Sequence, residues 1–331
     1  MTNQTQDDES ELTDELDEIR CAYYAVSGWS WNDCVFLGMR YNEVTGFRSH
    51  RGECWILRNE PEGEDGHAFI THRGQDTYLT DVWLSPGNRC FASGAALLYN
   101  PDVMSPADEW QEQDVRSGMA FDGVWGLSDD CVFTWGTEWE GAHHLFRFNG
   151  KKWREIPGPG FGIAAMHGIT PDCLVAVGKS GEAAVFRSKQ WQVLPTPVNE
   201  YLTSVFMVSA DEIYAVGDGG SVLEGSTSGW GKIADGPKLP TGAGASLRAV
   251  AWWHDDLWIG GGVTGLWKRI GKTNQLKSVN ARITAVDFDA RKDLVIAERN
   301  RITSTADGVN FGCGAVNALE EHRAGTALME W

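Results

Sequence analysis

Leu202-Thr203-Ser204-Val205-Phe206, a polar gap, Glu212-Ile213-Tyr214-Ala215-Val216-Gly217, a turn at Asp218-Gly219-Gly220, Val222-Leu223 and a trailing Trp230 make up one unit of a repeating pattern. The same order of parts recurs from about residue 22 to about residue 314. Aligning the first apolar run of each unit on one small aliphatic residue gives Val26, Val82, Val124, Ala165, Val205, Val250 and Val286, at intervals of 56, 42, 41, 40, 45 and 36 residues. The second runs include Cys34-Val35-Phe36-Leu37-Gly38, Cys90-Phe91-Ala92-Ser93-Gly94, Cys173-Leu174-Val175-Ala176-Val177-Gly178 and, last, Leu294-Val295-Ile296-Ala297. A third run follows, then a short fourth that carries Trp110, Trp153, Trp191 or Trp230 in the middle units.

Short runs rich in Val, Ile, Phe, Tyr and Trp, parted by Gly, Asp, Asn, Ser and Pro, predict strands joined by tight antiparallel turns. A period near forty residues with four such strands predicts a β-propeller. A lone four-stranded blade cannot bury both faces. Blades set around an axis pack on one another and leave only short edges. Seven units therefore predict an all-β, seven-bladed propeller. Six or eight blades stay open, because the first unit departs furthest from the pattern. The expected blades cover approximately 21–75, 76–116, 117–159, 160–198, 199–242, 243–279 and 280–331, after an acidic tail or short helix at 1–20. Leu319 to Arg323 is expected to form a helical turn, and Ala327-Leu328-Met329 either a closing strand on the first blade or a cover for the channel.

The 331 residues carry a formal charge of −18. Residues 7–18 hold eight acids and no base; without them 38 acids still face 28 bases. That balance argues against nucleic-acid binding, which needs Lys and Arg to displace counterions, and favours a basic partner. No run of 18 apolar residues predicts a membrane span, and the polar N-terminus lacks the layout of a secretory signal. The expectation is a cytoplasmic bacterial protein with no membrane contact. Of the seven cysteines, Cys34, Cys90, Cys131 and Cys173 open the second strand of successive units. They would lie around a ring, unbonded, as small buried hydrophobes of a reducing compartment.

Thr305-Ala306-Asp307-Gly308-Val309-Asn310-Phe311 resembles the Asp-box of sialidase-type propellers, a hairpin between third and fourth strands. The repeat as a whole, over about 22–314, is similar to the BNR-like propellers that include the photosystem assembly factor family. The resemblance implies a turn-forming role for Asp307 and three functional classes: a glycan-binding or glycoside-cleaving propeller, an assembly factor, or a protein binder. A sialidase needs several arginines converging on the axis. Here Arg248 and Arg282 begin inner strands and no third follows. His143-His144 is a poor chelate, because neighbours on a strand point to opposite faces. No metal site, cofactor or catalytic set is expected.

What departs from the pattern is the loop between second and third strands in units one and three. The first runs from Arg40 to Arg51 and carries Tyr41, Glu43 and Phe47; the second, Thr137 to His143, sets Trp139 between Glu138 and Glu140. An aromatic flanked by acids on a firm loop suits a basic protein partner. The expected function is a non-catalytic protein-binding propeller, in concrete form a bacterial immunity protein that binds a basic toxin. The binding residues would be Tyr41, Glu43, Phe47, Glu138, Trp139 and Glu140.

Overall fold

The computed structural model describes residues 19–42, 53–59, 68–75, 78–105, 110–269 and 273–314. Its 28 strands form seven sheets, each of four consecutive antiparallel strands. The all-β class and the blade number match the sequence reading. The tail, the segments 43–52 and 60–67 and everything after Gly314 lie outside the described residues, and with them the expected helical turn and closing strand. Ile19 and Arg20 belong not to a tail but to the first strand, Ile19–Gly28.

The innermost strands are Ile19–Gly28, Leu79–Leu84, Met119–Ser128, Ile163–Thr170, Leu202–Ser209, Ala249–Trp253 and Ala285–Ala290; all seven line one central channel of about 510 Å³. The second strands are the dry layer. Phe36, Leu37, Ala92, Val132, Val177, Ala215, Ile259 and Ile296 are fully buried. The outer tryptophans fill wedges between blades: the Trp153 ring lies 5.8 Å from Phe91 of the preceding blade and 5.2 Å from Phe148 of its own. Cys34, Cys54, Cys90 and Cys131 are free and buried, as expected of small hydrophobes, whereas Cys173 is only half-buried and Cys313 exposed.

Five second strands carry a glycine at one register position, Gly38, Gly94, Gly136, Gly178 and Gly217, opposite Tyr23, Leu79, Phe121, Ile163 and Leu202 of the inner strands. In three of them the reason is steric: a Cβ on Gly94, Gly136 or Gly217 would stand 2.1, 2.0 and 2.1 Å from the carbonyl oxygen of Tyr78, Ala120 and Tyr201, at or just before the start of the adjoining inner strand. The seventh blade breaks this rule with Glu298. Its buried carboxylate accepts from Arg301 Nε at 2.8 Å and from the Thr284 backbone N–H at 2.9 Å, and also from the Thr303 hydroxyl.

Strand register corrects two of the aligned positions. Six inner strands carry a bulge: Tyr24, Thr80, Asp122, Ala164, Thr203 and Val286 are each passed over in the pairing. In blades 1, 2, 3 and 5 the bulge lies two residues before Val26, Val82, Val124 and Val205. The same spacing makes Met166, not Ala165, the equivalent in blade 4 and Phe288, not Val286, in blade 7. A β-bulge inserts one residue that spacing alone does not reveal.

With that register, three positions stitch neighbouring blades together. Two residues before the anchor, a hydroxyl donates to a carbonyl of the next blade: Tyr24 to Leu79 at 3.1 Å, Thr80 to Phe121 at 2.9 Å, Thr203 to Leu247 at 2.7 Å. One residue before it, an oxygen accepts the next anchor's N–H: Asp81 from Val124, Ser204 from Val250, Asp287 from Val26. One residue after it, Ser27 accepts from Leu84, His167 from Met207 and Asp289 from Gly28. Buried backbone donors and acceptors need such partners. Among the described residues no side-chain hydrogen bond of this kind crosses from blade 3 to 4 or from blade 6 to 7.

Burial sets the titration of the channel, and the backbone bonds to Asp81 and Asp287 only partly offset it. Burial holds the His167 imidazole down at about 3, which leaves Nδ1 free to accept. Burial raises the Asp81 carboxyl to about 6, and burial together with the Asp81 charge pushes Asp287 well above the ordinary carboxylate range. The folded protein therefore keeps a proton on Asp81 that the unfolded chain releases near pH 4, so this site favours folding at low pH and the advantage fades as pH rises through about 6. Asp81→Asn should reduce the stability lost between pH 4 and pH 7 by on the order of 2 kcal/mol, read from urea titrations at both pH values. Equal losses in the two proteins would place the slope on other groups.

Candidate functional site

The loop around Trp139 is tighter than its sequence suggests. The flanking strands run to Glu138 and resume at His143, leaving a four-residue turn. Glu138 N–H donates to the Ala142 carbonyl and Gly141 N–H to the Glu138 carbonyl, both at 2.9 Å. Gly141 adopts φ 92°, a left-handed value that favours glycine. The turn holds out a Trp139 side chain that is 89% exposed, more than any other large apolar residue described.

The two acids beside Trp139 have different jobs. Glu138 Oε1 lies 2.5 Å from Arg116 Nε and 3.4 Å from His144 Nε2; Glu155 lies 3.0 Å from Arg116 Nη1 and 2.6 Å from His144 Nδ1. This four-membered cluster ties the turn to the outer strand of its blade (Trp153–Ile156) and to the segment before its inner strand. Glu138 is thus held by a base of its own chain. Glu140 is exposed and makes no such bond among the described residues. His143 goes elsewhere, its Nδ1 sitting 3.1 Å from the Thr137 hydroxyl, which also donates to Asp122 at 3.0 Å. The two histidines diverge as the strand geometry requires, and among the described residues no group of three potential ligands could hold a metal ion.

The structure brings Glu138, Trp139 and Glu140 together. Tyr41 is the penultimate residue of the strand Cys34–Asn42, and Glu43 and Phe47 lie outside the described residues. The grouping of the two elaborated loops therefore stays an expectation.

A groove, not evident in the sequence, lies beside the Trp139 turn. It has a volume of about 340 Å³ and is walled by Gly141, Ala142 and His143 on one side and by Gly158 to Phe161 on the other. One wall is the turn between the second and third strands of blade 3; the other is the connection to blade 4. Both loop types thus meet on one face. The signal was present in Pro157-Gly158-Pro159-Gly160, whose prolines lack the N–H that a strand would need.

The channel offers a second site. Trp125, His167 and Phe206 form a stack along one wall, with centroids 5.0 and 4.2 Å apart. Among the described residues its lining arginines are Arg248 and Arg291. Arg291 is fully engaged: it pairs with Asp289 at 2.9 Å, donates to the Leu84 carbonyl and Ser27 Oγ, and lies 4.9 Å from the centroid of Trp29. That is not the convergent set of free arginines that a sialic-acid carboxylate would require.

The Thr305–Phe311 segment forms the turn between the third and fourth strands of blade 7, Ile302–Thr305 and Gly312–Gly314. The Asp307 carboxylate accepts the N–H groups of Val309 and Asn310, both at 2.8 Å, and these bonds hold its pKa well below the usual carboxylate range.

Fold and site together define a seven-bladed propeller with one face elaborated around an exposed tryptophan. No family model matches the chain. It is 28% identical over 178 residues to the immune protein Tsi7 of Pseudomonas aeruginosa, an overlap of 51% of this chain and 52% of that protein. The chain thus spans about half the length of the curated relative it matches. Among solved structures it is similar to YCF48 bound to D1 peptide (TM-score 0.57, 12% identity, covering 87% of this chain and 94% of the other). It is also similar to the WD40 β-propeller domain of Doa1 (TM-score 0.63, 8% identity, covering 86% and 91%). At those identities the likeness is one of fold.

The two kinds of tryptophan should separate by stability. Trp139→Ala should leave unfolding free energy within about 0.5 kcal/mol of the parent, as for surface substitutions. Trp135, which is buried and packs over Gly123, should cost about 3–5 kcal/mol when changed to Ala. Chemical denaturation of the two variants checks both.

Proposed function

We propose that this protein is a non-catalytic, protein-binding propeller that acts as an immunity protein by occluding a basic toxin. The observation that carries this reading is the similarity to an immune protein across half the chain. Three features support it. The charge of −18 would draw a basic partner and hasten encounter. Trp139 stands ready on a turn already ordered by hydrogen bonds, so little side-chain and loop entropy is lost on docking. A propeller needs no rearrangement to present such a face. Glu140 supplies the free negative charge, while Glu138 positions the turn. The Asp307 hairpin supports a likeness to Asp-box propellers, in which such turns serve folding.

Pull-down from the native host, followed by calorimetry with the captured toxin, tests the proposal. Affinity should fall steadily from 50 to 500 mM salt through screening. Trp139→Ala should weaken binding at least tenfold, about 1.4 kcal/mol or more. Glu140→Lys should slow association. Salt-independent affinity together with indifference to both substitutions would reject this face. Turnover of a fluorogenic glycoside would reject the non-catalytic reading.

A further inference from the structure

We infer that the groove between blades 3 and 4 is a receptor for an arginine side chain of the partner. This inference rests on the protein-binding reading and gives it a chemistry.

Three observations converge on a cation. The first is the backbone of the connecting segment. The carbonyls of Gly158, Pro159 and Gly160 accept no hydrogen bond from any described residue, and the segment lines the groove. Pro159 has no N–H to offer, so along this stretch three unengaged carbonyls outnumber the two unengaged N–H groups of Gly158 and Gly160.

The second is charge. The groove continues past His143 and His144 toward Glu155, and neither stretch is lined by a Lys or Arg. The Glu155 side chain keeps 48% of its surface exposed although it pairs with Arg116 and His144, and a carboxylate has lone pairs to spare for another donor. The third is the aromatic ring of Phe161, half-buried in the wall. Ring faces attract guanidinium groups more often than ammonium groups.

A guanidinium fits this combination better than an ammonium. Its planar fork carries five N–H donors and is weakly hydrated, so it can lie against a ring while serving several carbonyls at its edge. The protein already uses such a contact at the opposite face, where Arg291 stacks on Trp29. The surroundings agree in sign, since a chain of net charge −18 selects cationic visitors.

Gly158 gives a clean test. Its backbone is not left-handed, and an added Cβ would meet only Leu145 Cβ at 3.9 Å, an ordinary contact. Gly158→Lys puts a cation into the groove and Gly158→Glu an anion; equal melting temperatures for parent and variants verify that both fold. The probes are N-acetyl-arginine methylamide, its citrulline isostere, which has the shape without the charge, and the lysine counterpart. Amide NMR shifts are followed in the full chain.

The arginine compound should move the signals of residues 139–143 and 158–162 with millimolar affinity. The citrulline and lysine compounds should bind at least fivefold more weakly. Gly158→Lys should abolish the response and Gly158→Glu retain or strengthen it. Equal binding of citrulline or lysine, shifts confined to other residues, or no binding at all would overturn the inference. The broader reading is judged separately. A captured toxin that binds the parent and Gly158→Lys equally well refutes the groove and leaves the protein-binding role standing. Failure to capture any toxin refutes that role, and the small-molecule titration still decides the groove.

Discussion

Each blade is complete in itself, so the ring depends on what passes between blades. Every described sheet consists of four consecutive strands, with none lent to a neighbour. Apolar packing supplies most of the driving force, but it does not fix how one inner strand sits against the next. The directional element is the set of side-chain bonds to the neighbouring backbone. At the closure from blade 7 to blade 1 it is concentrated: Asp287 and Asp289 accept from Val26 and Gly28, and Arg291 reaches on to Leu84 of blade 2. Burying a carboxylate there is costly, and the raised protonation of Asp287 reflects that cost.

The fold was legible because packing repeats. Anchor valines, second-strand glycines and outer tryptophans occupy equivalent places in successive blades, and equivalence shows as periodicity. What escaped the reading was whatever repeats in three dimensions without repeating in letters. Asp81, Ser204 and Asp287 accept the same bond from the same position, yet one is a serine and the bulge displaces the last of them. Glu298 takes the place of a glycine, and only the register reveals the substitution.

The site was half legible. Trp139 announced itself as an aromatic among acids, and the structure leaves it in solvent. Its two neighbours looked alike in sequence and are not. Whether an acid is free depends on Arg116, 22 residues before Glu138, and His144, which no local reading connects. The groove was harder still. It is made by a turn and an inter-blade connection brought side by side by the meander, and its polar wall is main chain. Sequence reports side chains; a row of unengaged carbonyls leaves almost no trace beyond the prolines that create it.

The self-contained meander has a consequence for how the chain can be recut. Because no described blade borrows a strand, every connection between consecutive blades is a place where the polypeptide can be opened without dividing a sheet. New ends placed between Leu194 and Leu202, or between Asp235 and Ala249, would leave seven whole blades. The order of blades around the axis is then a matter of neighbour recognition rather than of where translation begins. Repeats of this kind can be permuted, duplicated or lost as modules, provided that the edges placed in contact carry matching stitches.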